Sequence, residues 1–115
     1  MGMGLKFEVE KVDNKVIGRL EGRLDAASSY ALQQKLDKLI EEKNLDILLD
    51  FTRVDYLSSA GMRLLLSTTK KLKTEKGCLV IFALTEDVNE IIKFAGFHKI
   101  LNICSNEQEA LRFSC

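Results

Sequence analysis

Apolar residues alternate with polar ones at Leu5, Phe7 and Val9 and then drift, the period-two signal of a half-buried strand over Leu5–Val12. Asp13-Asn14 is a turn pair, and Val16–Leu20 resumes as a second strand, so the two form an antiparallel hairpin. Beyond Gly22 and Asp25 the period changes. Leu32, Leu36, Leu39 and Ile40 fall on one helical stripe, which places a helix from about Ser28 to Glu42. Asp46–Phe51 carries the continuous apolar run Ile47-Leu48-Leu49, the pattern of a central strand covered on both faces. Met62, Leu65, Leu66, Thr69 and Leu72 make a second helical stripe that ends near Lys76-Gly77, and Cys78–Leu84 is a further apolar strand. Val88, Ile91, Ile92 and Ala95 mark a third helix, with Thr85 as its cap, Glu86 and Asp87 in its first turn and Gly96 closing it. Ile100–Cys104 is a short last strand, and Ser105 with Gln108 has the spacing of a capping box opening a terminal helix.

The order β-β-α-β-α-β-α-β-α predicts a single α/β domain over residues 1–115. Its sheet is mixed and mostly parallel, of four or five strands with about four helices. Right-handed crossovers make the parallel part and the first hairpin adds an antiparallel strand. In such sheets binding sites lie beyond the C-terminal ends of the strands. Two segments qualify as loops there, Gly22–Ser29 and Thr52–Gly61.

Composition narrows the function classes. Hydrophobic residues make up 46% and charged residues 30%, a balance that supports a packed core. Seventeen Lys plus Arg offset 17 Asp plus Glu, so the electrostatic footprint of a nucleic-acid binder is missing. The nearest basic run, Lys70, Lys71, Lys73 and Lys76, falls at a helix C-terminus, where cations offset the dipole. No stretch approaches the ~20 apolar residues of a membrane span, and no signal peptide is expected. Met1-Gly2-Met3-Gly4 has the start of a myristoylation site but Lys6 where Ser or Thr is needed. A cytoplasmic protein is the expectation. Cys78, Cys104 and Cys115 form no CxxC pair and are expected to be reduced thiols. No metal or cofactor is implied. His98 stands without a partner for a triad, and Tyr30 and Tyr56 are expected to be half-buried core, with polar edges presented near the Ser58–Ser59 pair as the alternative.

Ser58 and Ser59 lie just before the stripe that starts at Met62. One of them is the expected N-cap of that helix, its oxygen accepting a free backbone N–H. If Ser58 caps, Ser59 stands at the first helical position with its hydroxyl free. A helix N-terminus accepts an anion readily, and a phosphate adds about −1.5 to −2 charges. Ala60 and Gly61 keep bulk away from that hydroxyl. Asp25 either caps the first helix or meets a partner, and the two roles are compatible.

The run Asp50-Phe51-Thr52-Arg53-Val54-Asp55-Tyr56-Leu57-Ser58-Ser59-Ala60-Gly61-Met62 followed by an apolar helix resembles the signature of STAS domains, the fold of bacterial anti-sigma-factor antagonists. Gly22-Arg23-Leu24-Asp25-Ala26 belongs to the same resemblance, which spans essentially the whole chain. The resemblance implies partner switching. The antagonist binds an anti-sigma factor that is also a serine protein kinase, freeing a sigma factor. The kinase phosphorylates a serine at this helix start, and a PP2C-type phosphatase resets the switch. Counted back from Gly61, the acceptor is Ser59, with Ser58 as the alternative. Asp25, Ser58, Ser59, Gly61 and Met62 are the implied partner-binding positions. Many kinase-regulated members carry aspartate immediately before the acceptor, where this chain has Ser58. Two other readings stand beside this one: a STAS module that docks a partner or small ligand without a kinase, and a small α/β enzyme. The second lacks a Gly-rich phosphate loop, paired carboxylates and a nucleophile–base couple.

Overall fold

A computed structural model describes residues 4–115. The Met1–Met3 part of the N-terminal motif lies outside the described residues. The chain folds as β1 (Leu5–Val12), β2 (Lys15–Leu24), α1 (Ala26–Glu41), β3 (Asp46–Leu57), α2 (Ser59–Thr74), β4 (Cys78–Phe82), α3 (Glu86–Phe94), a 3-10 turn (Phe97–Lys99), β5 (Asn102–Cys104) and α4 (Glu107–Arg112). The five strands lie in the sheet in chain order; β1 pairs antiparallel with β2 and the rest pair in parallel. The α/β architecture and the element order are those expected from the periodicity.

Strand order equal to chain order has a consequence for layering. Each right-handed crossover moves one strand in the same direction, so α1, α2 and α3 all land on one face. Leu32, Leu36 and Ile40 of α1, Leu65 and Leu72 of α2, and Val88 and Ile92 of α3 meet Ile47, Leu49, Phe51, Leu79 and Ile81 there. The other face carries Ile17, Leu48, Val80 and Phe82, and α4 packs on it through Ala110. The run Ile47-Leu48-Leu49 is therefore buried on both sides, as its continuous apolar character requires.

Both expected loops are shorter than the sequence suggested. β2 continues to Leu24 and α1 opens at Ala26, so Gly22–Ser29 is mostly strand and helix. β3 runs twelve residues to Leu57, leaving Ser58 alone between it and α2. The β2–β3 register slips between Arg19 and Glu21 and again between Gly22 and Arg23. Each slip adds a residue to β3, so its buried positions fall at Phe51, Val54 and Leu57, three apart. That spacing is not the alternation of a regular strand, and it reads in sequence as a loop. β4 stops at Phe82 rather than Leu84.

Caps account for the helix starts. Thr85 Oγ1 accepts from Val88 N and opens α3 as expected, and Gly96 follows α3 in the left-handed conformation, φ 81°. The α4 box is displaced by one residue: Asn106 caps by accepting from Glu109 N, and Glu109 accepts from Ser105 N. Asparagine holds the capping position as well as serine does, and it places the acid three residues on at Glu109. Lys71 and Lys73 occupy the last turn of α2, and Lys71 pairs with Asp37 at 3.1 Å.

The cysteines differ from expectation. Cys78 at the start of β4 and Cys115 are joined in a disulfide with Cα atoms 5.7 Å apart, and Cys104 is free. The segment after α4 folds back across the second face and brings together thiols 37 positions apart, a proximity that sequence spacing does not reveal. Closing such a loop stabilises the fold by about 4 kcal/mol in chain-entropy terms.

Arg19 on that face ties three elements together. Its guanidinium donates to Glu10, Asp50 and Glu107, each at 2.9 Å, joining β1, β3 and α4 to β2. Burial works to raise the Asp50 pKa, but the Thr52 hydroxyl, the Thr52 N–H and Arg19 outweigh it, so the carboxyl sits below its ordinary value. A carboxylate whose folded pKa is depressed stabilises above the unfolded value, near 3.9, and loses that contribution as pH falls through the folded value. Asp50→Asn is therefore expected to cost about 1 kcal/mol at neutral pH. In melting curves taken down the pH scale, the gap between the two proteins closes below about pH 4. A gap unchanged into acid would show that Asp50 is not the group that titrates.

Candidate functional site

The C-terminal ends of β2 and β3 lie side by side, with Arg23 opposite Tyr56 and Leu24 opposite Leu57. The next residue on each strand is a helix cap, Asp25 for α1 and Ser58 for α2. The Ser58 N–H donates to Leu24 O at 2.8 Å, so the two helix starts are stitched together by one backbone bond. The sheet register thus brings Asp25 and Ser58-Ser59, 33 positions apart in the chain, to adjoining helix mouths.

Each cap has a definite set of partners. Ser58 Oγ accepts from Gly61 N at 3.1 Å, and Ser58 O accepts from Met62 N at 2.9 Å. Ser58's hydroxyl is committed to the backbone. Ser59, one residue on, is the first residue of α2 and is exposed. The first N–H groups of a helix have no intrahelical acceptor, so the Ser59 hydroxyl stands beside donors that favour a negative group. Asp25 Oδ1 accepts from Ser28 N at 3.0 Å, while the Asp25 N–H donates to Ser28 Oγ at 3.0 Å, a reciprocal capping box. The Ser28 N–H, then its hydroxyl, holds the Asp25 carboxyl below the usual carboxylate range. Asp25 is therefore an anion near neutral pH, at the mouth next to Ser59.

Gly61 and Met62 lie under this surface. Both are buried. A Cβ on Gly61 would sit 2.7 Å from Leu57 Cδ1 and 3.1 Å from Leu24 Cβ. The glycine lets α2 begin hard against the strand ends and thereby fixes where Ser59 projects.

Two grooves flank the start of α2. One, between α1 and α2, is lined by Ala26, Ser29, Tyr30, Gln33, Ala60 and Arg63 among others. The second, between α2 and α3, runs from Ser58, Ser59 and Met62 to Glu90, Ile91 and Phe94. Phe94 is 97% exposed, the largest departure from a buried aromatic among the described residues. Its exposure is signalled in the sequence: the apolar stripe that marks α3 is Val88, Ile91, Ile92 and Ala95, of which Val88 and Ile92 are buried, and Phe94 falls off it. Tyr30 and Tyr56 follow the alternative of an exposed polar edge rather than half-buried core. Tyr30 is 65% exposed and its hydroxyl accepts from Gln34 Nε2 at 2.9 Å. Tyr56 lies at the surface under the Arg23 guanidinium, 4.3 Å from ring centroid to Cζ. The second bulge in β3 turns Tyr56 outward beside Arg23.

Among the described residues no cluster of three His, Cys, Asp or Glu side chains could hold a metal ion, and no helix is long and apolar enough to cross a membrane.

Residues 6–110 match the family model described as the STAS domain. A curated relative named as an anti-sigma factor antagonist, BtrV of Bordetella bronchiseptica, is 30% identical over 106 residues, covering 92% of this chain and 91% of its own. Among solved structures, the anti-sigma factor antagonist SpoIIAA in its unphosphorylated form superposes with a TM-score of 0.78 at 24% identity, covering 92% of this chain and 93% of that one. The phosphorylated form of SpoIIAA from Bacillus superposes at 0.71 with 23% identity, covering 93% and 97% of the two chains.

Proposed function

The chain belongs to the STAS domain family, and from that premise we propose that it is an anti-sigma-factor antagonist switched off by phosphorylation of Ser59. Unmodified, it docks through the mouths of α1 and α2 on an anti-sigma factor that is also a serine protein kinase, and so frees a sigma factor. The kinase transfers phosphate to Ser59, the complex separates, and a PP2C-type phosphatase restores the hydroxyl. The relatives named above as anti-sigma factor antagonists support the class of partner.

The observation that carries the reading is the division of labour between two adjacent serines. Ser58 is occupied as a cap, and Ser59 presents a free hydroxyl at the first position of α2. A phosphate there is held locally by helix N–H groups without refolding. It also brings negative charge beside the Asp25 carboxylate and the Glu90 rim, so a partner fitted to the neutral surface meets repulsion and unpaired desolvated charge.

The test is incubation of the full chain with ATP and candidate anti-sigma serine kinases, followed by mass spectrometry of the peptide spanning Ser58 and Ser59. Phosphate is expected on Ser59, to persist in Ser58→Ala and to vanish in Ser59→Ala. Phosphate on Ser58 in the unaltered chain, or elsewhere with Ser59 untouched, contradicts the assignment.

A further inference from the structure

The opposite end of the molecule carries chemistry that the switch does not use. We propose that the Cys78–Cys115 disulfide is a reversible latch, opened by a dithiol reductant attacking Cys115, which holds α4 and the segment after it on the second face of the sheet.

The two sulfurs are unequal. Cys78 is the first residue of β4 and is 7% exposed, whereas Cys115 lies at the surface. A groove lined by Lys73, Gly77, Ile100 and Asn102 opens onto the pair. A reductant thiolate therefore reaches Cys115 Sγ. A new S–S bond forms there, the Cys78–Cys115 bond breaks, and its electron pair leaves on Cys78 Sγ, which takes up a proton. The second thiol of the reductant then attacks the mixed disulfide and releases Cys115 as a thiolate that is protonated in turn. Two electrons and two protons pass to the protein, and the reductant departs as its own disulfide. A small-molecule disulfide such as oxidised glutathione drives the reverse sequence.

What the latch holds follows from the layering. α1, α2 and α3 cover one face, whereas Ile17, Leu48, Val80 and Phe82 on the other are covered by α4 and its flanks. α4 has only six residues, too short to persist without tertiary contacts. Its first turn is fixed through Glu107 to Arg19. Past its last turn, the non-covalent polar ties to other elements among the described residues are two long ones, from Lys15 Nζ to Phe113 O at 3.4 Å and from Asn102 Nδ2 to Cys115 Sγ at 3.4 Å. The disulfide is the covalent hold on that end, and opening it leaves these long bonds and the packing of Leu111 and Phe113 on the second core to keep it in place. Cys104 on the same face is an unsuitable competitor, because burial and then Glu109 push its thiol pKa up. Ser59 lies at the C-terminal ends of the parallel strands and Cys78 at the N-terminal start of one, so the latch and the switch are separate and are tested separately.

The experiment uses the full chain equilibrated with oxidised glutathione, then half of it reduced with dithiothreitol. Iodoacetamide applied after denaturation is expected to label only Cys104 in the first sample and all three cysteines in the second. In native protein, reduction is expected to speed amide exchange in residues 107–113 by about ten-fold or more, leaving the α2 start unchanged. Cys115→Ser is expected to exchange like the reduced chain under both conditions. Three labels before reduction, a linkage through Cys104 that is lost in Cys104→Ser, or exchange in 107–113 indifferent to reduction would each overturn the proposal.

Discussion

A Ser59→Asp chain is expected to lose about 100-fold or more in affinity for its anti-sigma factor, while Ser59→Ala stays within a few-fold of the unaltered chain. The two variants differ little in volume, and the site is exposed, so neither disturbs the core. The difference between them is one negative charge placed at the rim shared with Asp25 and the α2–α3 groove. A like-charge contact of this kind costs several kcal/mol at an interface, which sets the size of the loss. Within the free protein the same charge stands at the positive end of the α2 dipole, so the melting temperature is expected to hold or rise slightly. Titration calorimetry paired with a thermal melt separates the two effects. Binding that survives in Ser59→Asp would mean that docking does not use this helix mouth.

The largest expected stability loss is at Phe51. It is fully buried, and it stands where β3 begins to bend beneath α2. Phe51→Ala removes a ring from the main core and leaves a cavity, at a cost of about 3–5 kcal/mol. At roughly 4 °C per kcal/mol for a domain of this size, the midpoint falls by about 12–20 °C. A marginally stable domain has only about 5–15 kcal/mol in hand, so partial unfolding at 37 °C is expected as well. A midpoint within a few degrees of the unaltered chain would show that the strand is not packed as described. The contrast between Phe51→Ala and Ser59→Asp is informative, since one is expected to destroy the fold's margin and the other only the docking.

The periodic signals carried most of the architecture. Leucines at helical spacing in α1 and α2, and the continuous apolar run of β3, fixed which elements form because burying those residues leaves few alternatives. The Ser58–Ser59 pair was equally legible, since capping needs a short polar side chain at one position and leaves the next one free. Three features were not legible, for different reasons. The bulges of β3 replace alternation by a spacing of three, which hides a strand inside an apparent loop. The cysteine pair depends on where the segment after α4 lands, which no local pattern encodes. The exposed rings of Tyr30 and Tyr56 are set by helix rotation and strand twist, so aromatic character alone suggested burial.

The proposed switch requires a phosphate at Ser59 to be accepted by its own helix yet refused by the partner. The most direct measurement is calorimetric titration of the anti-sigma factor with two preparations of the full chain, one unmodified and one stoichiometrically phosphorylated on Ser59, each checked by its amide NMR spectrum. The unmodified chain is expected to bind and the phosphorylated chain not to, with spectral changes confined to the starts of α1 and α2. Equal binding by the two preparations, or a phosphorylated chain whose whole spectrum shifts, would contradict it.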